Sequence, residues 1–311
     1  VMAAPEIITL TVNPALDKST SVKALVAEKK LRCSNPKVEP GGGGVNVSRA
    51  LKNLGHDSLA MYLAGGYTGE FYTKILREAG IDTCAIPIKG HTRENVIVVD
   101  ESTNQQYRFG MEGPEVAEEE WRCCLDTIKK YEFDLLVASG SLAPGMPTSF
   151  FGQLASLVKK KNARLVIDTS GEALKDAVDE GVYLIKPNLG ELSSLYGVQE
   201  LHDEEAIHAA REIIAKGFCE VIAVSMGASG ALLVTKQEVH KVHSPAVKKK
   251  STVGAGDSMV AGMLAGIIRH YEWNDVLRYG VAAGTAATLS AGSELCKKED
   301  SDRLFEILQR Q

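Results

Sequence analysis

The chain has no long basic block, no CxxC pair, no apolar run long enough to span a bilayer and no internal repeat. Each absence removes a class of function. The longest cationic run is Lys248-Lys249-Lys250 and the formal net charge is −5, so nothing points to nucleic acid as a partner. The six cysteines at 33, 84, 123, 124, 219 and 296 form no small-domain framework and read as reduced thiols of a cytoplasmic protein. His240 and His243 make a pair, but a pair without further ligands is not a metal site. No signal-peptide pattern opens the chain, and no membrane partner is expected. The GxxxxGK[ST] loop and the protein-kinase motif set are both missing, which excludes two familiar classes of phosphoryl-transfer enzyme. Ser139-Gly140-Ser141-Leu142-Ala143 does not fit the GxSxG turn of a serine hydrolase.

What remains is an ordinary globular composition, 44% hydrophobic and 24% charged over 311 residues, long enough for one large α/β domain or two smaller ones. Ile7-Ile8-Thr9-Leu10-Thr11-Val12 is β-branched and apolar and predicts a buried first strand that stops at Asn13-Pro14. Residues 18–38 and 88–110 alternate loosely and predict a thin, solvent-facing sheet built from two separate excursions. Between them, residues 58–63 predict a strand, and 45–51 and 69–79 predict helices. From 116 onward strand and helix alternate. Helix patterns fall near 116–130, 147–161, 171–179, 204–216, 258–270, 274–290 and 301–309. Strand patterns fall near 134–138, 164–168, 182–186, 220–225 and 231–235. That rhythm predicts a mostly parallel sheet with helices on both faces, whose ligands sit beyond the carboxyl ends of the strands. Polar residues cluster at those ends: Asp17, Ser139-Gly140-Ser141, Asp168, Lys186-Pro187-Asn188 and Ser225-Met226-Gly227.

Two glycine turns open helices. In Ser251-Thr252-Val253-Gly254-Ala255-Gly256-Asp257, unpaired first-turn N–H groups and the positive end of the helix dipole make an anion site. Asp257 there is either a helix N-cap or a carboxylate placed to take a proton. Gly41 to Gly44 cost backbone entropy with no packing gain legible in the sequence, which close approach to a polyhydroxylated ligand would explain, with Asn46 on its hydroxyls. Asn188-Leu189-Gly190-Glu191 reads either as a helix start with an acidic first turn or as a holder of hydrated Mg²⁺. Ser225-Met226-Gly227-Ala228-Ser229-Gly230 is a hairpin turn or a loop against phosphates. Lys30, Arg32 and Arg93 lie in the alternating segments. If the small sheet covers the strand-end site, they would point at it and could hold a phosphate.

These residues resemble the ribokinase-like (PfkB) family of sugar kinases. TVGAGDSMVAG resembles its C-terminal signature and GGGGVNVSRALKNLG its N-terminal one. KLRC, AGGYTGE, TREN, QYRF, SGSLAPG, DTSGEAL, KPNLGEL and RYGVAAGTAATL lie around and between them in order. The resemblance covers nearly the whole chain and is strongest to the family's 6-phosphofructokinase branch. It implies an α/β ribokinase-like sandwich, with residues 1–17, 39–87 and 112–311 as the nucleotide- and sugar-binding domain. Residues 18–38 and 88–111 would be a β-sheet lid and the interface of a homodimer. The implied reaction is ATP- and Mg²⁺-dependent phosphorylation of C1 of fructose 6-phosphate. Tagatose 6-phosphate, fructose 1-phosphate and a catalytically silent sensor are the alternatives. Position by position, Asp257 would be the base, with the N–H groups of Gly254, Ala255 and Gly256 as the anion hole. Asp17, Gly42, Gly43, Asn46 and Ser141 would contact the sugar. Arg93 would hold its phosphate, with Lys30 and Arg32 assisting, including from a dimer partner. Lys186, Asn188, Ser225, Gly227 and Gly230 would contact ATP phosphates, with Gly284 and Ala287 near adenine. Asn188, Glu191 and Asp168 would organise Mg²⁺. Ser251 and Val253 fit the family's K⁺ loop. Ser290-Ala291-Gly292-Ser293-Glu294 departs from it where relatives carry Asn and Arg near 290 and 294, which leaves K⁺ an open expectation.

Overall fold

The computed structural model describes residues 6–290, 292 and 294–311. The opening residues 1–5 and the loop positions Ala291 and Ser293 lie outside them. In chain order, β1 (Ile7–Thr11), β2 (Ala15–Val22) and β3 (Lys37–Gly41) lead into α1 (Gly43–Asn53). Then follow β4 (Leu59–Ala64), α2 (Gly66–Glu78), β5 (Asp82–Pro87), β6 (Arg93–Asp100) and β7 (Gln105–Phe109). Helix–strand alternation continues with α3 (Glu118–Lys129), β8 (Leu135–Ser139), α4 (Phe150–Lys160), β9 (Arg164–Asp168), α5 (Gly171–Asp179) and β10 (Val182–Ile185). The remainder is α6 (Leu189–Tyr196), α7 (Asp203–Ala215), β11 (Cys219–Ser225), β12 (Ala231–Val234), β13 (Val239–Val242), α8 (Ala255–Ile268), α9 (Trp273–Ala287) and α10 (Lys298–Gln309).

Nine strands form one sheet in the order β13-β12-β11-β10-β9-β8-β1-β4-β5. Every pairing from β11 to β5 is parallel, and only the β11-β12-β13 end is antiparallel. Strand period two explains the layering. Ile8, Leu10, Leu136, Ala138, Ile167, Ile185 and Ile222 face a core shared with α3 to α7. Their neighbours Ile7, Leu135, Val137, Val166, Leu184 and Val221 face the opposite core, filled by α1, α8, α9 and α10. Both faces are therefore covered, which is why the central strands read as unbroken apolar runs. From β1 the chain builds outward through β4 and β5, then returns to the other side of β1 with β8. A crevice opens beyond the carboxyl ends of strands at such a reversal.

The second sheet, β3-β2-β6-β7, has four strands. Its strands start earlier and end later than the alternation suggests, at Ala15 and Gly41. Residues 23–36 between β2 and β3 form an irregular loop. Strand β2 pairs with β6 in parallel, with Ala15 opposite Arg93 and Asp17 opposite Asn95. Two strands escape the sequence patterns: β5, a half-exposed edge, and β13, only four residues long with two polar ones.

Candidate active site

The first turn of α8 begins one turn earlier than its apolar run suggests. Gly254 is the N-cap with φ of 73°, a left-handed conformation that a side chain resists, and a Cβ there would meet Leu295 Cδ2 at 2.5 Å. Asp257 is the third residue of the helix and caps nothing; the N-cap alternative is therefore wrong. Its Oδ2 instead accepts a hydrogen bond of 2.9 Å from Nδ2 of Asn46, in the first turn of α1. The two glycine turns thus meet at one contact. Burial pushes the Asp257 carboxyl up to about 6, helped by the nearby Asp168 charge and opposed by Asn46, Lys186 and Arg49.

Lys186 closes the other side. It is buried, at 7% exposure, and its Nζ lies 3.2 Å from Asp168 Oδ1, while Ser139 donates to Asp168 Oδ2 at 3.3 Å. Burial works to neutralise this ammonium, but the Asp168 carboxylate outweighs it and raises its pKa, so it stays charged. A Cβ on Gly256 would sit 3.6 Å from that Nζ, so the α8 turn and Lys186 share one space.

The expectation that Gly41 to Gly44 bring no packing gain is overturned. A Cβ on Gly41 would strike the Asp17 carboxylate, one on Gly43 the Ser139 hydroxyl, and one on Gly44 the Leu10 carbonyl. Gly42 has φ of 120° and would place its Cβ 2.6 Å from Thr11 Cγ2. The turn is glycine-rich because it lies against β1, β2 and β8, with Val45 N–H donating to Thr11 Oγ1 at 2.8 Å.

Asp17 on β2 accepts from Asn95 Nδ2 at 2.9 Å, and burial raises its pKa against the pull of Asn95 and Arg93. Arg93 donates from Nη1 to the Met111 carbonyl at 2.6 Å and from Nη2 to the Asn13 carbonyl at 2.9 Å; its Nε is buried without a partner. Ser141 is exposed beside Asn13, whose Nδ2 reaches its hydroxyl at 3.4 Å. Lys30 and Arg32 are not on strands: both are exposed in the 23–36 loop.

Asn188 and Glu191 form a reciprocal cap on α6, each side chain bonding the other's backbone N–H at 2.8 Å. The helix-start reading therefore holds; Glu191 keeps its Oε1 outside the cap, whereas the one side-chain oxygen of Asn188 already accepts within it. Ser225 pairs in register with Asn188, and Ser225 N–H donates to Pro187 O at 2.9 Å, placing the β10 and β11 ends together. Gly227 opens a short 3₁₀ turn, and a Cβ on Gly230 would collide with the Val242 carbonyl. Gly284 lets α9 approach α8, since its Cβ would lie 3.1 Å from the Ala255 carbonyl; Ala287 is wholly buried. Of the K⁺ loop, Ser251 donates to the Gly292 carbonyl at 2.7 Å, and Glu294 is engaged by Lys37 at 3.1 Å and Lys297 at 3.7 Å. Ala291 and Ser293 of that loop lie outside the described residues.

No cluster of three or more His, Cys, Asp or Glu occurs among the described residues. His240 is taken by Glu238 at 2.7 Å. A cavity of about 760 Å³ lies at the opposite, amino ends of β9 to β11, between Arg164, Tyr183, Lys236 and Trp273, and contains none of these groups. Two residues at the site escape the sequence patterns. Asn95 lies in the TREN segment, but no spacing there singles it out. Arg49 lies three positions after Asn46 on the same helix, a spacing that places both on one face.

Residues 10–300 match the family model described as pfkB family carbohydrate kinase. The chain is 40% identical over 305 residues to an ATP-dependent 6-phosphofructokinase isozyme 2 of Mycobacterium tuberculosis, covering 97% of this chain and 90% of that one. It is also 40% identical over 306 residues to its Escherichia coli counterpart, covering 98% and 99%. A 1-phosphofructokinase of Bacillus subtilis is 36% identical over 285 residues, covering 91% and 93%. The crystal structure of Escherichia coli phosphofructokinase-2 in complex with potassium superposes with a TM-score of 0.95 at 40% identity, over 98% of this chain and 100% of that one.

Proposed function

The chain belongs to the pfkB family of carbohydrate kinases, and we propose that it phosphorylates the C1 hydroxyl of fructose 6-phosphate with ATP, giving fructose 1,6-bisphosphate and ADP. The observation that carries this reading is the Asn46–Asp257 contact. It joins the two glycine turns around a carboxylate raised to about 6, with a buried ammonium beside it. A carboxylate with that pKa is ionised at neutral pH yet basic enough to accept a hydroxyl proton. The names of the relatives at 40% identity support the 6-phosphate, C1-hydroxyl assignment over the 1-phosphofructokinase at 36%.

In this reading Asp257 takes the proton as the C1 oxygen forms its bond to the γ-phosphorus and the bond to the ADP oxygen breaks. The N–H groups of Gly254, Ala255 and Gly256, at the positive end of α8, receive the transferring group's charge. Lys186, held charged by Asp168, adds a fixed cation on the same side. Asp17, Gly42, Gly43, Asn46 and Ser141 orient the sugar. Arg93 spends one N–H of Nη1 and one of Nη2 on backbone carbonyls, which leaves the second N–H of each for the 6-phosphate. Lys30 and Arg32, exposed on the lid loop, would assist in holding a phosphate, including from the partner's lid. Asn188, Glu191 and Asp168 fit the hydrated Mg²⁺, which neutralises phosphate charge when bound. Ser225, Gly227 and Gly230 would line the ATP phosphates, with Gly284 and Ala287 towards adenine. K⁺ attaches to the Ser251–Val253 turn, and the rate in K⁺ against that in Na⁺ tests it.

The lid supports a homodimer. Strand β7 is exposed along its length, and Tyr107, Phe109, Met111, Leu25 and Val26 leave apolar surface open around it. An exposed strand edge with such side chains calls for cover. No helix among the described residues is long and apolar enough to cross a membrane, and all six cysteines are free, in keeping with a cytoplasmic location. Phosphorus NMR of the product tests the proposal: two sugar phosphate signals from fructose 6-phosphate and ATP support it, and an unchanged single signal overturns it.

A further inference from the structure

Arg49 has no role in the reaction as described so far. We propose that it is a positioning residue for the base: it fixes which end of the Asn46 amide faces Asp257, and it ties down the glycine turn that carries Asn46. This rests on the reading of Asp257 as the base.

The Arg49 side chain is 18% exposed, and its guanidinium reaches three acceptors. Nη1 donates to the Pro40 carbonyl at 2.8 Å and to Asn46 Oδ1 at 3.3 Å, and Nη2 donates to Glu39 Oε1 at 3.3 Å. An asparagine amide can be seated in two ways, and the neighbours decide between them. With Oδ1 towards Arg49 and Nδ2 towards Asp257, both contacts are favourable. Turned over, the amide would set N–H groups against N–H groups and its oxygen against a carboxylate. Arg49 and Asp257 therefore select the same orientation from opposite ends. Asp257 Oδ2 is then occupied by Asn46, and among the described residues its Oδ1 accepts no side-chain hydrogen bond. That oxygen is the one left to receive a proton.

The second anchor concerns the backbone. Pro40 immediately precedes Gly41, so the 2.8 Å bond to its carbonyl joins the end of β3 to α1 across the Gly41–Gly44 turn. Glu39, opposite Asp17 in the β2–β3 register and 3.3 Å from Lys37, supplies the counter-charge. Three acceptors spread over two nitrogens need a planar fork; one ammonium cannot span them. The charged groups facing Asp257 are Asp168 and Lys186 from the strand ends and Arg49 from α1.

Arg49→Lys separates charge from geometry, because it keeps the cation and loses the fork. The test compares R49K, N46A and the double variant with the wild type, using fructose 6-phosphate and ATP. R49K is expected to lower kcat on the order of 10-fold, as small misplacements of reacting groups do, with the KM for ATP unchanged. In the N46A background the same change is expected to cost nothing further. Wild-type kcat in R49K, or an equal fold-loss in both backgrounds, overturns the proposal. A second readout needs no turnover: titration of the Asp257 carboxyl by carbon NMR. R49K is expected to move that titration to higher pH, and to leave it unmoved once Asn46 is Ala; an unshifted midpoint in R49K overturns the proposal. Should the wild type turn over no sugar phosphate, the kinase reading fails, and the titration still decides whether Arg49 sets the Asn46–Asp257 bond.

Discussion

Replacing Asp257 by Asn should stabilise the protein while stopping it. The carboxyl rises from 3.8 to about 6 on folding, chiefly through burial and the Asp168 charge. A raised carboxyl pKa means the ionised form is disfavoured in the fold, so it costs stability above pH 6. That cost is relieved as pH falls from about 6 towards 4, where the folded state takes up the proton before the unfolded chain does. A rise of that size corresponds to about 3 kcal/mol at neutral pH. Part of the Asp257 surface reaches solvent, and screening trims the recoverable share to between about 1 and 3 kcal/mol. The neutral amide of Asn avoids the cost at every pH. Urea unfolding of both proteins at pH 7.5, 6 and 4.5 should therefore show a gain for D257N that narrows towards acid. In the same variant kcat should fall by about 10²–10⁴-fold, the range for losing a general base. A variant less stable at pH 7.5, a gain independent of pH, or retained activity would refute the reasoning.

Three further outcomes follow from the same geometry. The pH profile of kcat/KM should fall tenfold per unit below about pH 6, as the base becomes protonated; a profile flat to pH 5 excludes Asp257 as that group. Gly43→Ala should destabilise by about 1–3 kcal/mol in urea unfolding, because its Cβ collides with the Ser139 hydroxyl and lies 2.7 Å from the Ser139 carbonyl carbon. Wild-type stability would show that the turn has room. Phe109→Asp on the exposed β7 strand should shift sedimentation from dimer towards monomer, and an unchanged mass would place the subunit contact elsewhere.

Most of the nine-stranded sheet was legible because its strands are apolar on both faces and its helices keep their period. The two strands that escaped, β5 and β13, are half-exposed at the sheet edges, where burial imposes no pattern. The candidate site was legible as punctuation: glycine turns and polar residues at strand ends. Its internal wiring was not. The Gly41–Gly44 turn read as close approach to a ligand with no packing reason of its own, but glycine is required there by Asp17, Ser139 and Leu10, which lie on other strands. Asp257 looked like a cap because the apolar run starts after it, whereas the helix already begins at Ala255. Arg49 stood three positions from Asn46 in plain view. Only the fold supplies Pro40 and Glu39 as its partners and gives it a reason to be arginine.

The central claim is that this site phosphorylates C1 of fructose 6-phosphate. A coupled ADP-release assay with fructose 6-phosphate, tagatose 6-phosphate, fructose 1-phosphate and free fructose measures it directly. The account predicts the highest kcat/KM for fructose 6-phosphate and the lowest for free fructose, which offers Arg93 no phosphate. A preference for tagatose 6-phosphate or fructose 1-phosphate, or no ADP release with any of the four, would contradict it.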